Sequence, residues 1–193
     1  MIQTNNNFPY QGSMFDWRQN LRNNGTSVQL GQAIYGDGKI ISNATSVKNL
    51  IGVVFCKTDK IIVIDLGVQK KLPWREAKKF AAEFHNRYIL PEEACLLRAP
   101  FLCRGICQSD WQTLNEQLIR LKLDAWTVPE SGDEPAFYWS STLFDEEDAH
   151  KQKEYDVLCV SSCDTEVTKR GDYFDSNEHS LEYARPMLVL RLH

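Results

Sequence analysis

Residue types able to do chemistry are thinly spread along this chain, and their spacing is loose. The richest set is six cysteines: Cys56, Cys95, Cys103, Cys107, Cys159 and Cys163. A zinc knuckle wants cysteine pairs two residues apart, whereas Cys103 with Cys107 and Cys159 with Cys163 are each separated by three. Cys56 follows "IGVVF" and Cys159 sits in "YDVLCV", settings in which a small thiol serves as packing. Free thiols are therefore expected in place of a disulfide framework, since a domain of this size needs no staples. A thiol- or metal-dependent enzyme using some of Cys103, Cys107, Cys159 and Cys163 stays open as an alternative, although no basic neighbourhood around Cys163 would lower its pKa.

The second set is acidic. Asp145, Glu146, Glu147 and Asp148, with His150 nearby, offer oxygen ligands for a divalent ion, but a solvated loop explains the run equally well and is the preferred reading. His85 falls on a helical pattern and His150 and His179 fall in loops. No Ser/His/Asp arrangement, glycine-rich phosphate loop or dinucleotide fingerprint is present, so no catalytic residue, metal or cofactor is nominated. Tyr173, Phe174 and Asp175 in "GDYFDSN" combine aromatics with a carboxylate, and with Asp145, Glu147 and Asp148 they are the candidate ligand-binding residues.

These candidates need elements to hold them. Residues 1–27 are rich in Asn and Gln and are read as an N-terminal arm, with 28–193 as the main domain. Within the arm, Met14, Trp17 and Leu21 recur at helical spacing between a capping Ser13 and Asn24-Gly25, which predicts a short amphipathic helix docking on the main body. The same face is the candidate surface for self-assembly, as in a structural subunit. Gly36-Asp37-Gly38 predicts a hairpin between Ala33–Tyr35 and 39–41, and "CKTD" a second one between "IGVVF" and "KIIVIDL", central in its sheet because Val63 and Ile64 leave no polar face. After Pro73, the residues Trp74, Ala77, Phe80, Ala81, Phe84 and Tyr88 form one apolar stripe. A second helix is expected where Trp111, Leu114, Leu118 and Leu121 line a face behind a capping Ser109 and Gln112, and "LPEEACLL" reads as a proline-started helical turn. Beyond Trp126 strands are expected at "AFYWSS", "YDVLCVSS" and "YARPMLVLRL", separated by loops, the longest running irregularly from Cys163 to Ser180.

Composition narrows the function classes. The chain has 193 residues, 42% hydrophobic and 25% charged, a globular balance. A formal net charge of −4 gives no basic footprint, so nucleic acid is discounted as a partner. No apolar run approaches the roughly 18–20 residues of a membrane span, so no membrane insertion is expected. "MIQTNNNFPYQG" lacks a basic and then apolar leader, which points to a cytoplasmic location or a particle unless a signal was trimmed. Asn24-Gly25-Thr26 and Asn43-Ala44-Thr45 match the glycosylation pattern and are read as chance matches.

Six phrases in order, "AIYGDGKIIS", "IGVVF", "PWREAKKFAAEF", "ILPEEACLL", "FYWSST" and "YARPMLVLRL", resemble bacterial domains of the DUF1566 type, common in Bacteroides-like bacteria. The resemblance spans about Gly31 to His193 and implies an α+β, C-type-lectin-like fold: two main helices packed on a small twisted, mostly antiparallel sheet, with a long loop region. It implies scaffold roles for Trp74, Leu90 with Pro91, Tyr138 and Trp139 ahead of a strand end at Ser140, Ser141 and Thr142, and Arg185 with Pro186. It further implies that the N- and C-terminal strands pair and that the loop face binds ligand. The calcium-lectin motifs are missing: "DEP" at Asp133–Pro135 echoes one and lacks its amide. The expected function is thus a noncatalytic binding module presenting a loop face to a protein or glycan, as part of a surface appendage or phage-like particle.

Overall fold

A computed structural model describes residues 15–24, 27–88, 94–96, 108–127, 136–143, 156–161, 173–175 and 181–192. The fold is mixed α+β. Among the described residues there are three helices, α1 (Phe15–Asn24), α2 (Trp74–Tyr88) and α3 (Gln108–Arg120). The strands are β1 (Ala33–Tyr35), β2 (Ile40–Ile41), β3 (Leu50–Lys57), β4 (Ile61–Asp65), β5 (Lys70–Leu72), β6 (Ala94–Leu96), β7 (Phe137–Leu143), β8 (Asp156–Ser161), β9 (Tyr173–Asp175), β10 (Glu182–Ala184) and β11 (Pro186–Arg191). No helix among them is long and apolar enough to cross a membrane.

Where one small sheet was expected, there are two. The larger runs β2-β1-β3-β4-β11-β6 and the smaller β5-β10-β7-β8-β9. All described pairings are antiparallel except β10 with β7, which run parallel with Tyr183 opposite Tyr138. Both expected hairpins form, β1–β2 and β3–β4. The N- and C-terminal strands do not pair: β1 lies between β2 and β3, and β11 lies between β4 and β6.

The large sheet is buried on both faces, which is why β4 reads as an unbroken apolar run. Ile62, Ile64, Leu188 and Leu190 face Trp17, Leu21 and Phe84 of α1 and α2. Their neighbours Val63, Met187 and Val189 face Trp111, Leu114, Leu118 and Leu121 of α3 on the other side. A bulge between Val54 and Cys56 puts one extra residue into β3, so that consecutive Phe55 and Cys56 both pack toward the α3 face. The amphipathic reading of α1 holds for Trp17 and Leu21, both fully buried. Those two side chains are consumed by the domain's own core and so are not a free face for self-assembly; Met14 lies outside the described residues.

Three local expectations change. Ala94–Leu96 is a strand paired with Pro186–Leu188 through backbone hydrogen bonds, not a helical turn. Helix α3 begins at Gln108, so Ser109 lies inside its first turn, where its carbonyl accepts from Thr113 Oγ1, and does not cap it. Strand β7 continues to Leu143, so Ser140, Ser141 and Thr142 lie within the strand and not at its end.

Candidate functional site

The strand expected at "YARPMLVLRL" is divided by Arg185. Residues before it pair with β7 and β5 in the small sheet, and residues after it pair with β4 and β6 in the large one. At this crossing Arg185 is 1% exposed and meets Asp65, at 0%, the last residue of β4. Arg185 Nε donates to both Asp65 oxygens at 3.0 Å, and Nη2 lies 2.9 Å from Oδ2. Nη1 also donates to Gln69 Oε1 at 2.8 Å and Nη2 to the Asp124 carbonyl at 2.6 Å. Asp65 in turn accepts from Trp126 Nε1 at 2.7 Å and from the Gly67 backbone N–H at 2.8 Å. Gly67 has φ +68, and a Cβ there would come within 2.6 Å of Leu123 Cδ1, so the turn that aims this N–H requires glycine.

Aromatic rings close around the ion pair. Trp126 lies 4.5 Å from the guanidinium and 4.5 Å from the Tyr138 ring, and Tyr138 stacks on Tyr183 at 5.2 Å. The Tyr138 hydroxyl accepts from the Thr127 N–H at 2.7 Å, while burial pushes its pKa up. Trp139 faces the opposite way, packing with Trp74 and donating Nε1 to the Leu72 carbonyl at 2.6 Å. Thus Tyr138 and Trp139 each fill a separate part of the core: Arg185 and Tyr138 join the two sheets, whereas Trp139 and Trp74 pack the small sheet against α2. A pair this deeply buried is out of reach of a substrate.

Cys56 is also spent on packing, and burial pushes its thiol up to about 12. Its thiolate is therefore nearly absent at neutral pH. Among the described residues no three His, Cys, Asp or Glu side chains cluster as metal ligands would. Of the residues read as ligand-binding, Asp145, Glu147 and Asp148 lie outside the described residues, as does Pro91. Tyr173, Phe174 and Asp175 are not part of an irregular loop: they form β9, the outer strand of the small sheet, paired with Leu158, Val157 and Asp156.

An open groove of about 420 Å³ lies elsewhere, at the β1–β2 turn and the β2–β3 connection. Tyr35, Ala44 and Ile41 form its floor and wall, and Asp37, Lys39, Asn43, Thr45, Ser46, Lys48 and Asn49 bring polar groups to it. Its shape is set from beneath. Gln117 of α3, 4% exposed, accepts from the Ala44 N–H at 3.1 Å and donates to the Ala44 carbonyl at 2.9 Å. Tyr35 donates its hydroxyl to the Ser46 carbonyl at 2.7 Å, and burial raises its pKa. The Gly36 N–H bonds the Asn49 carbonyl at 2.7 Å, tying turn to connection. Asn43 and Asn49 take left-handed φ of 55° and 60°, which asparagine tolerates better than most residues, at the two ends of the clamped segment.

The groove's upper side chains are not used by the fold. Asn43, Thr45, Lys48 and Asn49 are exposed, and their side chains make no hydrogen bond to another described residue. Asp37 and Lys39 form an exposed pair at 2.6 Å, in which the hydrogen bond from Lys39 holds the Asp37 carboxyl below its ordinary range and raises the lysine in turn. From sequence this segment offered a hairpin turn at Gly36-Asp37-Gly38 and a chance glycosylation match at Asn43-Ala44-Thr45, and no ligand site. Its polar composition, "SNATSVKN" between two strands, marked only a connection, and the clamp from Gln117 is separated from Ala44 by 73 positions. No family model, curated protein or solved structure matches the chain.

Proposed function

We propose that the chain is a noncatalytic binding module of C-type-lectin-like, DUF1566-type design that takes a glycan or another small polar ligand on a loop-built surface. The observation that carries this reading is the groove at residues 35–49, which is rigid beneath and uncommitted above. Preorganisation matters because ordering a loop on binding costs affinity, and here that ordering is already supplied by Gln117 and Tyr35. A volume near 420 Å³ falls in the range of small-molecule sites, about 300–1,000 Å³. The resemblance carried by "PWREAKKFAAEF", "FYWSST" and the "RP" of the last phrase supports the same reading.

The test is a panel of immobilised glycans and peptides probed with the wild-type chain and with Thr45→Arg. The substitution sits on an exposed position and fills the groove without touching the core. Binding that Thr45→Arg removes, with thermal unfolding unchanged, supports the reading. Binding that survives in Thr45→Arg, or no binding to any member of the panel, counts against it.

A further inference from the structure

The charges lining the groove do not cancel. Asp37, Lys39 and Lys48 are its ionisable side chains, apart from the part-buried Tyr35 hydroxyl. Asp37 and Lys39 neutralise one another at 2.6 Å, and among the described residues Lys48 has no ionic partner. The groove is therefore locally cationic on a chain whose formal charge is −4. Around Lys48 stand the amides of Asn43 and Asn49 and the hydroxyls of Thr45 and Ser46, which together both donate and accept. Ile41, 38% exposed, adds an apolar edge.

We propose that the groove selects carboxylated sugars over their neutral counterparts, with the Lys48 ammonium as the group that recognises the carboxylate. A sugar acid presents what this lining can meet: a carboxylate for Lys48, vicinal hydroxyls for the amides and hydroxyl side chains, and a C–H face for Ile41. A bare inorganic anion would use the cation alone and leave the amides unmatched. A neutral sugar would use the amides and leave the cation unmatched. The inference rests on the binding-module reading above and narrows it to a ligand class.

Isothermal titration of the full chain with digalacturonate and with digalactose separates the two claims. The expected result is that digalacturonate binds about fivefold more tightly at low salt, as suits an exposed ion pair, and that the advantage shrinks as ionic strength rises. Lys48→Gln should erase the difference between the two sugars, and Lys48→Glu should reverse it. Acetate at the same concentration should compete with neither sugar. Equal affinity for the acidic and neutral disaccharides, or a preference untouched by Lys48→Gln, would overturn the inference and leave the binding module standing. Displacement by acetate would also overturn it, showing a simple anion site. If neither disaccharide binds, the inference falls, and the failure of the wider glycan and peptide panel decides separately whether the module reading falls with it. Lys48 is exposed, so both variants keep the wild-type circular dichroism spectrum.

Discussion

Replacing Arg185 by methionine tests the weld between the sheets. Methionine keeps an apolar stem of similar reach, so little volume is lost, but every polar contact of the guanidinium goes. Asp65, at 0% exposure, would keep only Trp126 Nε1 and the Gly67 N–H, and Gln69 Oε1 and the Asp124 carbonyl would each lose a donor. Removing one member of a buried pair leaves an uncompensated charge, which costs about 3–5 kcal/mol. That is a large part of the roughly 5–15 kcal/mol that holds an ordinary domain together. With a urea slope of about 2 kcal/mol per molar, the unfolding midpoint should fall by about 2 M. Asp65→Asn should be similarly costly, because it strands the guanidinium. The double variant should lose less than the sum of the two, with a coupling of about 2 kcal/mol. The assay is urea unfolding followed by tryptophan fluorescence, to which Trp126 is one of five contributors. An Arg185→Met midpoint within about 0.5 M of wild type, or strictly additive single changes, would refute the idea that this ion pair joins the sheets.

Other consequences follow from single contacts. Trp17 Nε1 is buried with no hydrogen-bond partner among the described residues, whereas Trp126 Nε1 bonds Asp65, so Trp17→Phe should cost about 1 kcal/mol or less and Trp126→Phe about 2–3 kcal/mol by urea unfolding. Gly67→Ala forces a side chain into a left-handed turn against Leu123 and should cost about 1–3 kcal/mol. Cys56 has its thiol raised from an ordinary 9.0 to about 12, so the folded state holds that proton while the unfolded state loses it. Its contribution is complete below pH 9, falls by about 1.4 kcal/mol at pH 10 and continues to fall toward pH 12. Cys56→Ala should therefore show a shallower alkaline loss of stability than wild type, read as the difference between the two urea midpoints from pH 8 to 10.5. Gln117→Leu removes both clamps on Ala44 without touching the groove lining, and should weaken ligand binding severalfold while destabilising the fold by about 1–3 kcal/mol.

The elements that the sequence displayed most clearly are those whose pattern is local. The stripe from Trp74 to Phe84 and the one from Trp111 to Leu121 repeat over three turns and more, and each buries the face that its spacing singles out. Both hairpins announce themselves through their turn residues and flanking β-branched runs. What stayed hidden depends on partners distant in sequence. Ala94–Leu96 is three residues long, too short for any period to register, and is a strand because Pro186–Leu188 lies beside it. One residue, Arg185, turns an apparently continuous terminal strand into two that serve different sheets, and its partner Asp65 reads only as the end of an apolar run. The burial of Trp74, Tyr138 and Trp139 was legible from large aromatics in apolar settings. The groove was not, because its lining is ordinary loop chemistry until Gln117 and Tyr35 fix it in place.

Amide-resolved NMR of the labelled chain, titrated with digalacturonate, addresses the binding function most directly. Chemical-shift changes concentrated at residues 35–49, and abolished by Thr45→Arg, are the predicted result. Saturable changes at β9 instead, or no saturable change with any glycan or peptide of the panel, would contradict a ligand site in the groove.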